Sequence, residues 1–165
     1  MRLCLLIRDS FMKRGSTLFL KGVVVLIGVS ILALCIFALP PAISSEEAGM
    51  YRPLLLGMYV PAIPFFMALY QTLILLSYID KNKAFSDLSV KALKNIKYCA
   101  FTISALYTAG MPYIFYVASE DGAPGVAALG FVIIFASIVI ATFAAVLQKL
   151  LQNAIDIKSE NDLTV

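Results

Sequence analysis

Four long apolar stretches dominate the sequence, and each is long enough to cross a lipid bilayer. They run over residues 17–39, 53–79, 97–118 and 125–147. A membrane-spanning helix needs about 20 predominantly apolar residues. The whole chain is 61% hydrophobic and 14% charged, whereas soluble domains are about half apolar and about a quarter charged. The sequence therefore predicts an all-α membrane protein with four transmembrane helices.

The basic residues indicate the orientation of these helices. Of the 13 lysines and arginines, only Arg52 lies in a loop on the far side of the membrane from the two termini. Segments with an excess of Lys and Arg face the cytoplasm. Both termini and the segment 80–97 are therefore predicted to be cytoplasmic. Lys21, near the start of the first helix, is expected to extend its amine toward the same side.

Charge also divides the chain into parts. We predict a basic cytoplasmic tail over residues 1–16, a four-helix transmembrane domain over 17–153 and a polar C-terminal tail over 154–165. The domain consists of two helical hairpins joined by the segment 80–97. The apolar face of the last helix continues beyond residue 147, which predicts that this helix extends into the cytoplasm. Met12 is a second natural start, so the sequence leaves open whether residues 1–11 belong to the native protein.

The joining segment has the pattern of an amphipathic helix over residues 85–97. Phe85, Leu88, Ala92 and Ile96 fall on one stripe, and the lysines fall on the other side. Ser86 is the expected N-cap residue. Such a helix suits the membrane–water boundary, where it would provide a docking surface for a partner or for lipid. The alternative is an ordinary basic loop that only fixes orientation, which is the commoner case.

The residues needed for catalysis or metal binding are largely missing. The chain has no histidine, and its three cysteines form no CxxC pair. No charged side chain lies near the middle of any predicted span, which argues against an ion-coupled carrier. Cys35 and Cys99 are expected at opposite membrane faces, so no disulfide is predicted between them. We therefore predict a protein that is not an enzyme and binds no cofactor or metal.

A second candidate site lies inside the predicted membrane domain, where prolines and tyrosines cluster. Prolines in the second helix remove backbone donors and should bend it. The bend either forms a pocket or is purely structural, and the structural interpretation is the simpler one. The residues of this candidate pocket or kink are Tyr59, Pro61, Pro64, Gln71, Tyr107 and Pro112.

Two stripes of small residues predict close helix packing. One consists of Ala100, Ser104 and Thr108, and the other of Ser137, Ala141 and Ala145. Small residues at four-residue spacing let two membrane helices approach closely. The stripes fit either packing within one chain or a contact between copies, so a homo-oligomer is an open possibility at this point.

Several motifs resemble those of one family. They are MKRGSTLFLKG at 12–22, YID at 78–80, AFS at 84–86, LKNI at 93–96 and the ending NAIDIKSENDLTV at 153–165. As a set they resemble DUF2975, a family of bacterial four-span membrane proteins without an established activity. The resemblance implies a location in the bacterial inner membrane. It also implies an association, because members are often encoded beside a small helix-turn-helix regulator of the Xre type.

Two functional hypotheses follow. In the first, the cytoplasmic face binds or regulates such a transcription factor, and the protein itself does not bind nucleic acid, because topology accounts for its basic residues. The residues proposed for partner binding are Lys91, Lys94, Lys97, Asp156, Glu160 and Asp162. Exposed pairs between the acidic tail and the lysines would contribute about 0–1 kcal/mol each. In the second hypothesis, the protein is a small permease or immunity-type protein that acts on a peptide or lipophilic compound within the bilayer.

Overall fold

A computed structural model describes residues 2–45, 49, 51–81 and 83–162, with side chains from Gly15 to Asn161 within these ranges. The described residues form helices and no β-strand. The helices are α1 (Arg2–Ala33), a π-helical turn (Leu34–Ala38), α2 (Leu39–Ser44), α3 (Arg52–Gly57), α4 (Tyr59–Asp80), α5 (Asp87–Glu120) and α6 (Pro124–Asp162). Within the described part of the chain, four stretches are long and apolar enough to cross a membrane. This confirms the predicted all-α, four-span fold.

We refer to these stretches as the first to fourth spans. They cover Gly15–Ser44, Arg52–Asp80, Asp87–Glu120 and Pro124–Asn161. Because the number of spans is even, both ends of the chain lie on one side, here called the terminal face. The opposite side, with the two short connections around residues 45–51 and 121–123, is the loop face.

The first span continues beyond the predicted end at residue 39. Its backbone widens into the π-helical turn Leu34–Ala38 and then resumes as α2, which contains Pro40 and Pro41 in its first turn. Prolines are tolerated there because the N–H groups of a first turn have no intrahelical partner. The Ser44 hydroxyl donates to the carbonyl of Pro40 at 2.9 Å, close to the end of the helix.

The second span is interrupted near its loop-face end. α3 ends at Gly57, Met58 forms a turn, and α4 begins at Tyr59. Pro61 has no N–H to donate to the carbonyl of Gly57, four residues earlier, and its ring would crowd that carbonyl. The predicted distortion therefore occurs before Pro61, whereas α4 continues through Pro64 without a break.

The third span absorbs the segment that the sequence presents as a separate amphipathic helix. α5 begins at Asp87 and continues to Glu120, with Ser86 as its N-cap residue. Ser86 accepts two backbone bonds through its carbonyl, while its hydroxyl donates to the carbonyl of Lys83 at 2.8 Å. The segment 87–97 is thus continuous with the third span and is not a separate helix.

The third and fourth spans form a regular antiparallel hairpin. The turn between them has Gly122 at φ +61°, a left-handed conformation that suits glycine. Phe115 and Phe131 contact edge to face, with 5.6 Å between ring centroids. Far from the turn, the Lys97 amine donates to the Gln148 side chain at 3.1 Å. These two contacts fix a register that holds over the length of the hairpin.

The two small-residue stripes lie inside this hairpin. Ala100, Ser104, Ser137 and Ala141 are all buried. The register places Ser104 level with Ala141. Packing within one chain therefore accounts for these four members, whereas Ala145 is half-buried and Thr108 is exposed.

The spans pack mainly against their neighbours in the chain, first on second, second on third and third on fourth. A core cluster of Met111, Ile114, Ala118 and Ala127 lies between the third and fourth spans near the loop face, and Leu54 of the second span packs against it. Most side chains of the first span are exposed. In a membrane, such apolar side chains face lipid.

Candidate functional site

The third and fourth helices are longer than a bilayer is thick. α6 has 39 residues and α5 has 34, which correspond to about 58 Å and about 51 Å at 1.5 Å per residue. A bilayer including its head groups is about 40–45 Å thick. Since the hairpin turn marks the loop face, the excess length lies on the terminal face. We call residues 87–97 and 148–162, which include this excess and the helical turn next to it, the projecting hairpin.

Three side chains near the beginning of α5 are buried. Ser89 is fully buried, and Ala92 and Leu93 are 3% and 7% exposed. The Ser89 hydroxyl donates to the carbonyl of Lys83 at 3.3 Å, so this buried polar group has a partner. The beginning of α5 is therefore packed against the rest of the protein on the terminal face.

Apolar side chains are exposed at the tip of the projecting hairpin. Phe85, Leu88 and Ile157 are 64%, 54% and 68% exposed. The hairpin register places Leu88 level with Ile157. Single exposed apolar residues are normal, but a group of them in contact with water would indicate an interaction surface.

The predicted partner-binding residues are distributed along this hairpin. Lys91, Lys94, Asp156 and Glu160 are exposed, whereas Lys97 is half-buried against Gln148. The side chain of Asp162 lies outside the described residues. The register places Lys94 level with Leu151, which is nine residues, or about 13 Å along the helix, from Glu160. The side chain of Asp156 accepts a bond from Gln152 at 3.3 Å.

An ion pair joins the first and second spans near the terminal face. The Lys21 amine contacts the carboxylate of Asp80, which also accepts a hydrogen bond from the Thr17 hydroxyl. The two charged side chains are 28% and 26% exposed. Lys21 was expected only to extend toward the membrane surface. The sequence contains a signal for this pair: a lysine near the start of one span and an aspartate at the end of the next. An antiparallel hairpin brings those two positions together.

A second contact between these spans involves the π-helical turn. The N–H of Leu39 donates to Leu34, five residues earlier, and so does not reach the carbonyl of Cys35. The next possible donor, residue 40, is a proline without an N–H. The Tyr59 hydroxyl donates to the Cys35 carbonyl at 3.0 Å and supplies the missing partner. The sequence predicts Tyr59 as a pocket residue. In the structure its hydroxyl instead hydrogen-bonds a backbone carbonyl that has no donor within its own helix. The described cysteines Cys35 and Cys99 are free.

A cavity of about 520 Å³ lies between the second, third and fourth spans in the half nearest the loop face. Of the predicted pocket residues, Pro61 and Tyr107 line it, whereas Pro64 and Gln71 are half-buried elsewhere in the second span and Pro112 is exposed. The lining is formed by Pro53, Leu54, Gly57, Met58, Val60, Pro61, Leu106, Tyr107, Gly110, Tyr113, Ile114, Val126, Leu129, Gly130 and Ile133. The sequence does not predict Gly57, Gly110 and Gly130 as lining residues, because they face one space only when the three helices pack together.

Polar contacts tie the two connections together at the loop face. The Tyr51 hydroxyl donates to the carboxylate of Asp121. This hydrogen bond, with smaller effects from desolvation and from the negative charge, raises the pKa of Tyr51. Arg52 donates to the carbonyl of Ile43 at 3.2 Å, which connects the end of the first span to the start of the second.

Sequence comparison identifies the family. The model of "Protein of unknown function (DUF2975)" matches residues 20–165. The chain belongs to the DUF2975 family. It is 62% identical over 161 residues to a Bacillus subtilis (strain 168) protein described as "Uncharacterized membrane protein YoaS", covering 93% of this chain and all of the relative. No solved structure matches.

The DUF2975 match includes the principal structural features described above. Lys21, Asp80, the cavity and the projecting hairpin all lie within it, whereas Thr17 lies just before it. Among the residues with described structure, no group of three or more His, Cys, Asp or Glu side chains could hold a metal ion. The features that this DUF2975 chain offers for function are thus a surface on the terminal face and an apolar cavity.

Proposed function

We propose that this protein is a non-enzymatic anchor in the bacterial inner membrane that binds a small helix-turn-helix transcription factor through its projecting hairpin. The proposal places both termini and the projecting hairpin in the cytoplasm. The observation that carries it is the length of the third and fourth helices, which exceeds the thickness of a bilayer. A protein that acted only within the membrane would not need this extension.

The surface of the hairpin suggests how a partner would bind. Phe85, Leu88 and Ile157 supply apolar area at the tip, and Lys91 and Lys94 supply positive charge beside it. The DNA-binding face of a transcription factor is basic, and like charges disfavour its contact with the lysines. A partner would therefore dock through an apolar or acidic surface. Binding at the membrane would then keep the transcription factor away from the chromosome.

Co-purification with a co-expressed helix-turn-helix regulator of the Xre type tests the proposal. The wild-type chain should retain the regulator in the membrane fraction, whereas L88D/I157D should release it into the soluble fraction. Each change places a charge in the apolar tip. The matched control is Ser159→Asp, which adds the same charge at an exposed position of the same helix. A regulator that stays equally soluble when the wild-type chain is overproduced would contradict the proposal.

The cavity favours a second candidate function, that of a small permease or immunity-type protein for a peptide or lipophilic compound. Its volume of about 520 Å³ falls within the range of about 300–1,000 Å³ that is typical of small-molecule sites. A deletion strain should then be sensitive to membrane-active compounds. Wild type should restore resistance, whereas Y107A should not. Restoration by L88D/I157D would separate this function from partner binding.

A further inference from the structure

Several lining residues of the cavity are exposed on the outer surface of the helices. Met58, Val60 and Leu129 belong to its lining and are also 42%, 51% and 65% exposed. These apolar side chains therefore form a rim between the cavity and the surroundings of the helices. In a bilayer, the surroundings at this rim are lipid.

The depth of the cavity follows from the residues that the fourth span contributes. Val126 and Ile133 mark its two ends on α6, which begins at Pro124. These residues lie about 3 Å and about 14 Å along the helix from its first residue. Since half of the hydrocarbon core is about 15 Å thick, the cavity lies within the leaflet at the loop face.

The chemistry of the lining favours an apolar ligand. It contains no charged side chain, and its polar side-chain groups are the hydroxyls of Tyr107 and Tyr113. An apolar space of this kind gives water few hydrogen-bond partners and does not hold it well. An ion would find no counter-charge. An apolar chain that enters from the surrounding lipid leaves no hydrogen bond behind and exchanges contacts with lipid for contacts with the walls.

Two glycines keep this space open. A Cβ atom added at Gly57 or Gly110 would meet nothing within 4 Å. Gly130 differs, because a Cβ atom there would lie 3.3 Å from the sulfur of Met111. Gly57 and Gly110 therefore border empty volume, whereas Gly130 permits the close approach of the third and fourth spans.

From the exposed rim, the depth and the uncharged lining, we propose that the cavity binds one acyl chain of a membrane lipid, which enters from the leaflet at the loop face. This site is independent of the proposed binding of a transcription factor. A bound chain would fill the gap between the second span and the hairpin of the third and fourth spans. It would make lipid a structural ligand of the protein, distinct from the lipids that surround its outer surface.

Photo-crosslinking of the full-length chain tests the site. The protein is reconstituted into vesicles of phosphatidylglycerol and phosphatidylethanolamine that contain a small fraction of phosphatidylcholine with a diazirine in one acyl chain. Label is mapped by mass spectrometry after illumination. Ile114 lines the cavity and is only 8% exposed, so surrounding lipid cannot reach it. Leu26 in the first span is 67% exposed and serves as the internal reference for ordinary lipid contact.

We expect label on Ile114 in the wild-type chain and a several-fold loss of that label in G110L, while Leu26 stays labelled in both. Gly22→Leu is the matched control, because Gly22 also borders open space but lies in the first span. If G110L does not fold, as judged by thermal unfolding, G57L replaces it. Absence of label on Ile114 while Leu26 is labelled would overturn the proposal, as would equal labelling of Ile114 in G110L, G57L and wild type.

Discussion

At the scale of single residues, the structure replaces two general expectations with specific contacts. Lys21, expected to reach the membrane surface alone, pairs with Asp80. Tyr59, expected in a pocket or at a kink, hydrogen-bonds the carbonyl of Cys35. Both contacts join the first span to the second. Their removal should therefore weaken a junction that has few other polar interactions among the described residues.

Asp80→Asn should destabilise the folded chain because it leaves the Lys21 amine without its counter-charge. Breaking a fully buried pair costs about 3–5 kcal/mol, and this pair is partly exposed, so we expect about 1–3 kcal/mol. Thermal unfolding in detergent measures the change. The double variant K21M/D80N should recover part of the loss, since it removes both charges. Equal midpoints for D80N and wild type would contradict this assignment.

Tyr59→Phe should cost about 1–2 kcal/mol of unfolding free energy, because it leaves the Cys35 carbonyl without a donor. Tyr70→Phe is the matched control, since Tyr70 lies on the same helix and is 64% exposed. The unfolding midpoint should fall for Y59F and stay unchanged for Y70F. A similar shift for both variants would show that the hydroxyl of Tyr59 has no special role.

Tyr51 should titrate above its ordinary pKa, because its hydroxyl donates to Asp121 and ionisation would remove that proton. A raised folded-state pKa means that the unfolded chain loses the proton first as pH rises. The contact thus contributes fully below the ordinary tyrosine pKa of about 10 and is lost as pH rises through the raised value. Carbon NMR of labelled tyrosine measures the titration. Asp121→Asn should return the pKa toward its ordinary value, and an unchanged midpoint would contradict the contact.

At the scale of elements, the prolines show how far sequence patterns predict this fold. Pro61 predicts a distortion of the second span, and the helix breaks just before it. Pro40 and Pro41 suggest the end of the first span, yet a π-helical turn places them in the first turn of a new helix segment. Local chemistry shows that a proline disturbs a helix. Whether the helix ends or restarts depends on a donor from another span, here Tyr59, which spacing alone does not reveal.

The cavity was predictable only in part for a similar reason. Pro61 and Tyr107 are conspicuous in their own helices, whereas Gly57 and Gly110 become meaningful only when the second and third spans face one another. The small-residue stripes predict close packing but not the partner helix. Residue spacing gives the face of a helix that packs, and the tertiary arrangement decides what covers it.

Ser104→Leu should destabilise the hairpin of the third and fourth spans by about 1–3 kcal/mol, because overpacking forces apart a close helix contact. Ser104 is 6% exposed and lies level with Ala141. Thr108→Leu is the matched control, since Thr108 is the next member of the same stripe but is exposed. The midpoint of thermal unfolding should be lower for S104L than for T108L. Equal midpoints would contradict the register of the hairpin.

At the scale of the whole molecule, the spans form two unequal units. The first span packs mainly on the second and is largely exposed to the surroundings. The third and fourth spans form a long hairpin that holds the principal core cluster and continues past the bilayer. This hairpin connects the cavity near the loop face with the tip on the terminal face. Two continuous helices thus span the distance between these two features.

The most direct test of this account is the accessibility of single cysteines to a membrane-impermeant maleimide. The three native cysteines are first replaced by alanine, and cysteine is then introduced at Lys91, Ile157 or Asp121. Positions 91 and 157 should react in inverted vesicles but not in intact cells, and position 121 should react in intact cells. Labelling of position 91 or 157 in intact cells, or protection of both in inverted vesicles, would contradict a hairpin that projects into the cytoplasm.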